Sequence, residues 1–289
     1  MDKLKYKSKW LLVIGLIMLW AFFAGGMYAE AAADEYKPLF GENYEFGESV
    51  KCGKYYFKYS TKDYKVYVAK SKKGPYKKTS ISYQSYTNGK QIYYVSDNRL
   101  CKYVCSSGKE TKLKKLPNNK YWKLSLVYGG KVFLTGENFD EWSLQTYVYK
   151  ISSKKLSKAA NVSIITNSGK YVLTQDEYRS DVSPYQTSLY RITANGMKKV
   201  KTLSKRCFGC RFVGDKLYYT DYGGDYMEKV TLYKCNRDGS GKKKLAFFET
   251  DSEYGAIYVT EITSKYCVIM KDDATYRYTY KTKKLKKIS

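Results

Sequence analysis

Carboxylates and thiols carry whatever side-chain chemistry this chain has, because none of its 289 residues is histidine. Without an imidazole there is no Ser-His or Cys-His nucleophile and no histidine general base. Carboxylate chemistry remains open: glycoside hydrolysis needs only two suitably separated acids, and Asp140, Glu141, Asp176 and Asp221 are the acids whose loops would share one face. No Ser-x-Asp-x-Gly-x-Thr-Trp turn of the sialidase kind is present. Among seven cysteines there is one Cys-x-x-Cys, Cys207-Phe208-Gly209-Cys210. With no second pair and no histidine it reads as a local redox pair or as two small buried side chains, not as a metal site. Cys101 and Cys105 point to the same side of one strand roughly 13 Å apart, too far to bridge each other. Asp238 and Asp272-Asp273 are turn acids without the spaced oxygens of a calcium loop. The expectation is therefore no catalytic residue, no cofactor and no metal: a binding protein, not an enzyme, with a carboxylate-dependent glycan-acting enzyme as the alternative.

The elements that would position these groups follow from a repeat. Turns at Gly53-Lys54, Gly89-Lys90, Gly130-Lys131, Gly169-Lys170, Gly214-Asp215-Lys216 and the degenerate Ser264-Lys265 recur 36 to 50 residues apart. That is the size of a propeller blade. After each turn comes an aromatic strand such as KQIYYVS or KLYYTD, then a second such as LCKYVC or TLYKCN, then a Lys-rich one such as TKLKKL. Period-two alternation broken by Gly, Asn, Asp and Ser is strand patterning. The fold class is accordingly all-β, a six-bladed β-propeller with four antiparallel strands per blade over residues 46–289, preceded by a leader at 34–45. If the ring closes, Cys52 and Cys267 fall in neighbouring blades, where a disulfide would fasten it.

Residues 1–33 carry the three parts of an export signal. Lys3, Lys5, Lys7 and Lys9 precede a continuous apolar run from Trp10 to Ala24, and Ala29-Glu30-Ala31 or Ala31-Ala32-Ala33 offers a cleavage site. The reading is a signal helix and a secreted protein; the alternative is an uncleaved anchor, the chain's only membrane contact.

The segment KLYYTDYGGDYMEKVTLYKCNRDGSGKKKL, Lys216 to Leu245, resembles one blade of a low-density-lipoprotein-receptor-type propeller. The family's Tyr-Trp-Thr-Asp stands here as Tyr218-Tyr219-Thr220-Asp221, followed by the Asp238-Gly239-Ser240 turn. The other blades keep the layout without the tetrapeptide, which brings the chain nearer to secreted TolB-like or receptor-like propellers of Gram-positive anaerobes. The resemblance implies a fold and a location outside the cell; it carries over no catalytic residue.

Charge is sorted by the repeat. The third-to-fourth-strand turns with the fourth strands hold 25 Lys or Arg against two acids, Glu110 and Asp238, nearly all of the excess over the signal-free chain. Alternating lysines on an exposed edge block strand addition, and they also attract polyanions such as anionic envelope polymers. Nucleic acid is not an expected partner, since no recognition motif is present. Acids concentrate instead in the loops joining second to third strands. The longer of these carry the expected ligand-binding residues Glu137, Asp140, Trp142, Asp176, Tyr178, Asp221, Tyr222 and Tyr226. Aromatic faces beside carboxylates suit a protein or glycan partner.

Overall fold

A computed structural model of the chain describes residues 36–41, 44–138, 143–176, 185–224, 227–250 and 256–289. The proposed signal, 1–33, lies outside them. Six antiparallel sheets follow one another along the chain, each joined strand to strand in sequence order. Blade one is Val50–Cys52, Tyr55–Ser60, Lys65–Ala69 and Lys77–Lys78. Blade two is Tyr86–Thr87, Gln91–Ser96, Arg99–Val104 and Lys109–Lys115. Lys37–Pro38, within the leader, pairs with Tyr86–Thr87 as a fifth strand of this sheet. Blades three to six begin at Tyr121, Val162, Cys210 and Tyr258 and end with Lys155–Ala160, Gly196–Cys207, Lys243–Glu249 and Lys284–Lys287. The all-β propeller architecture is thus present. Among the described residues no helix is long and apolar enough to cross a membrane.

The second strands explain why the pattern gives this fold. Strand residues alternate between two faces, and in blades two to five both faces meet a neighbouring sheet. In Lys131–Asn138, Val132 and Leu134 pack toward blade two while Phe133 packs toward blade four, and all three are fully buried. The same division splits Tyr93 from Ile92 and Tyr94, and Tyr218 from Leu217 and Tyr219. Five apolar clusters result, each joining two consecutive sheets. Polar pins cross the seams as well: Tyr86 donates its hydroxyl proton to Ser125 O at 2.7 Å, tying blade two to blade three.

Bulges recur where the first strand meets the second, at Leu124/Leu126, Ile164/Thr166 and Val259/Glu261. Each adds local twist, which a fan of radiating sheets requires. The repeated glycines make the turns that join these two strands: Gly53 lies at φ 58°, a left-handed conformation that side chains disfavour.

One sequence expectation is corrected here. Cys52 does not meet Cys267; it lies beside Cys105 in the seam between blades one and two, whereas Cys267 contacts Tyr280. Among the described residues, no hydrogen bond, ion pair or ring contact joins blade six to blade one. The physical reason for the Cys52 placement is that its side chain lies on the face of blade one that packs against blade two.

Two predictions test the seams. Phe133→Ala removes a ring packed on all sides and is expected to lower unfolding stability by about 3–5 kcal/mol, whereas Ile165→Ala, at an exposed position, stays within about 0.5 kcal/mol; urea titration separates them. Burial pushes the Tyr86, Tyr103 and Tyr222 hydroxyls up to about 12 from an ordinary value of 10. A raised folded-state value favours the neutral phenol, so this stabilisation is complete below pH 10 and is lost as pH rises through about 12. Absorbance of tyrosinate at 295 nm should therefore show a class of tyrosines ionising together with loss of the β-sheet circular dichroism signal. Complete ionisation near pH 10 with the fold intact would contradict it.

Candidate functional site

Four of the eight expected ligand residues, Glu137, Asp176, Asp221 and Tyr222, are described; Asp140, Trp142, Tyr178 and Tyr226 lie outside the described residues. The four stand at the ends of the second strands of blades three, four and five. Each of these strands carries a buried threonine, Thr135, Thr174 or Thr220. Glu137, Asp176 and Tyr222 all follow that threonine by two positions, so the chain places them at equivalent points of consecutive blades.

Their partners, however, are local. Glu137 accepts a hydrogen bond from Lys123 in a partly buried ion pair across the first two strands of its blade. Asp176 accepts from the Gln186 amide on the adjacent strand. Asp221 accepts from Ser204 Oγ at 2.6 Å, which links blade five to the last strand of blade four. Tyr222 is buried; its hydroxyl accepts the Val259 N–H at 3.2 Å from blade six, and its ring meets Phe208 edge-on at 5.4 Å. The tetrapeptide Tyr218-Tyr219-Thr220-Asp221 is likewise occupied in holding strands. Thr220 Oγ1 accepts from Gly209 N at 3.0 Å and lies 3.1 Å from Gly209 O, pinning the second strand to the start of the first.

Beside it the Cys-x-x-Cys forms a packed pair. Cys207 Sγ donates to Gly209 O at 3.3 Å. The neighbouring Cys210 thiol, with Thr187 and Thr220 assisting, holds Cys207 below the ordinary thiol range against the opposing effect of burial. The same hydrogen bond, then burial, pushes Cys210 upward.

The structure also shows a cleft on blades one to three, away from the residues expected from sequence. Its volume is about 620 Å³, and it runs from Tyr64 and Lys65 past the connection 79–84 and the Asp97-Asn98 turn to Tyr121 and Trp122. Three tyrosines line it with substantial exposure: Tyr64 at 75 %, Tyr121 at 54 % and Tyr83 at 39 %. Tyr83 is set in place from behind, its ring stacked on the buried Phe40 at 5.4 Å and 4° and packed against Tyr59 at 4.5 Å. Phe40 comes from the leader, so the strand at Lys37–Pro38 helps to position the cleft. Asp97 and Asn98 sit at φ 49° and 52°, the consecutive left-handed pair of a two-residue hairpin that Asp and Asn tolerate best. Trp122 faces inward and donates its indole N–H to Pro117 O at 2.8 Å.

Sequence reasoning passed over this cleft because it weighed loop length, and its walls are short turns. Both tyrosines also read as strand residues, Tyr64 in YKVYVAK and Tyr83 in ISYQSY, whereas in the structure those strands begin only at Lys65 and Tyr86.

No protein-family model matches the chain, and no curated protein matches it. Solved structures do. An oligogalacturonate lyase in complex with manganese is similar over 83 % of this chain and 76 % of its own, at 13 % identity and a TM-score of 0.50. A post-proline cleaving enzyme from Rickettsia typhi is similar over 83 % of this chain and 44 % of its own, at 13 % identity and TM-score 0.50. A putative TolB from Agrobacterium tumefaciens is similar over 70 % and 81 %, at 15 % identity and TM-score 0.37. Identities this low speak to the fold alone. A TolB protein thus stands among the structural neighbours, while the receptor-type likeness rests on the Tyr218 to Asp221 tetrapeptide.

These neighbours correct the expectation that the chain is not an enzyme, since the same architecture occurs in a lyase and in a post-proline cleaving enzyme. That expectation rested on the missing histidine, which removes one set of mechanisms and leaves carboxylates, tyrosines and thiols as proton donors and acceptors.

Thr220→Val keeps the shape of the side chain while stranding the Gly209 N–H in a buried seam. It is expected to cost about 1–3 kcal/mol in urea unfolding, whereas Glu137→Gln, whose ion pair is partly solvated, changes stability by less than about 1 kcal/mol. Equal effects would mean that the threonine pin is not a structural requirement.

Proposed function

We propose that the protein binds a carbohydrate chain in the cleft between blades one and three. The observation that carries this reading is the row of exposed tyrosines Tyr64, Tyr83 and Tyr121 beside Asp97, Asn98, Gln84 and the Ser80 and Ser82 hydroxyls. Sugar rings present apolar C–H faces and a rim of hydroxyls; aromatic rings cover the first and carboxylate, amide and hydroxyl groups bond the second. The volume falls within the range of small-ligand sites. Rigidity supports the reading too, because Tyr83 is backed by Phe40 and Tyr59 and needs little ordering on binding.

The wider setting of this proposal is the cell envelope. Residues 1–33 have the pattern of an export signal. The outer strands Lys77–Lys78, Lys109–Lys115 and Lys284–Lys287 are largely exposed and give the molecule a positive edge. That edge attracts anionic envelope polymers over long range, while the cleft selects among neutral or acidic sugars at contact distance.

The test is a glycan array probed at low and high salt, followed by titration of the best ligand. Tyr83→Ala and Tyr121→Ala should each weaken binding by about 5- to 50-fold, the loss of roughly 1–2.3 kcal/mol of aromatic contact. Adherence to anionic polymers should fall steeply between 0.05 and 0.5 M salt, by screening, and be insensitive to both substitutions. Absence of any glycan signal, or affinity unchanged in both variants, would remove the proposal. Shortened oligosaccharides accumulating in the same assay would make the cleft a site of reaction as well as of binding.

A further inference from the structure

The seam between blades one and two holds a feature that the cleft does not use. Cys52 ends the first strand of blade one, and Cys105 follows directly on the third strand of blade two. Both side chains are completely enclosed, in one cluster with Phe57, Ile92, Tyr94 and Tyr103. Cys52 Sγ is 3.1 Å from Thr87 Oγ1 within the same seam.

The approach is imposed by backbone, not by flexible side chains. A Cβ placed on Gly53, next to Cys52, would fall 2.9 Å from both Cys105 Cβ and Cys105 O. Cys105 is held in turn by its N–H, which donates to Lys90 O at 2.8 Å. Two cysteines from different blades are thus brought together in a site closed to solvent. The other cysteines near them are engaged elsewhere: the Cys101 thiol points back to Arg99 O at 3.7 Å.

We propose that Cys52 and Cys105 form a disulfide that covalently fastens blade one to blade two. Both are free thiols in this structure. In the balanced reaction Cys52 gives up its proton and attacks the disulfide of an oxidant of the thiol–disulfide class, forming a mixed disulfide and releasing one oxidant thiolate. Cys105 then loses its proton and displaces the second oxidant thiolate, so that one S–S bond replaces two S–H bonds. Two electrons and two protons leave with the oxidant as two thiols. Because the seam is closed to solvent, the bond forms before the two blades dock and is shielded from reductants afterwards.

The full-length protein, refolded in a glutathione redox buffer, is unfolded in acid, alkylated and digested with trypsin without reduction. The expected product is the peptide Cys52–Lys54 linked to the peptide Tyr103–Lys109, two hydrogens lighter than the sum of the free pair. Unfolding the protein in a strong reductant and refolding it with the reductant present should lower its Tm by roughly 5–15 °C, as expected on losing a bridge that encloses a long loop. Cys105→Ser should abolish that shift, and Cys207→Ser should retain it. Recovery of Cys52 and Cys105 as separately alkylated peptides, or of either linked to another cysteine, overturns the proposal. Should Cys105→Ser fail to fold, the peptide map of the unsubstituted protein decides alone.

Discussion

Burial of one sheet face against the next is the interaction on which everything else in this protein depends. A four-stranded sheet standing alone in water has two faces to cover, and here the cover is supplied by the neighbouring sheets. The second strand is the place where the two requirements meet. Phe133 serves one seam while Val132 and Leu134 serve the other, so a strand of eight residues is shared between two cores. This is why the second strands read as nearly continuous apolar runs rather than as half-polar ones. It also explains the buried threonines: Thr135, Thr174 and Thr220 sit where the run passes into the loops, and their hydroxyls bond a neighbouring strand or side chain, to Ser125, Ser188 O and Gly209 respectively.

Away from the seams a second regularity takes over. Among the described residues each fourth strand ends its sheet, and in blade five lysines in and just before it lie across rings: Lys242 Nζ is 3.8 Å from the Tyr233 ring centre and Lys244 Nζ 4.7 Å from that of Phe247. A lysine in this position covers apolar surface with its stem and ring face with its charge. In blade five, Lys and aromatic residues thus stabilise one another at the edge, and positive potential there is a consequence.

The architecture was legible because its signals are local. Gly at the turns, alternation in the strands and lysine at the edges each act within a few residues, and they predicted six four-stranded units. Sites are harder, because exposure and convergence are tertiary properties. Tyr222 reads as a loop aromatic and is in fact a buried bridge to blade six. Part of the acidic enrichment in the loops has a backbone origin: Asp97-Asn98 and Asp272-Asp273 adopt left-handed conformations at tight turns, which accounts for their residue types without reference to a ligand. The pairing of Cys52 was misjudged for a related reason. Ring order suggested Cys267, whereas the face on which Cys52 points is fixed by strand alternation and leads to blade two.

The double assignment of each second strand has an evolutionary corollary. Deleting a single residue from Lys131–Asn138 would exchange the side chains of two cores at once, so indels within such strands are filtered out in odd steps. Loops and outer strands carry no such parity, and whole blades can be gained or lost as units because each brings one complete seam with it. Lineages built on this plan are thus free to diverge at their edges and turns while the inner strands keep their length.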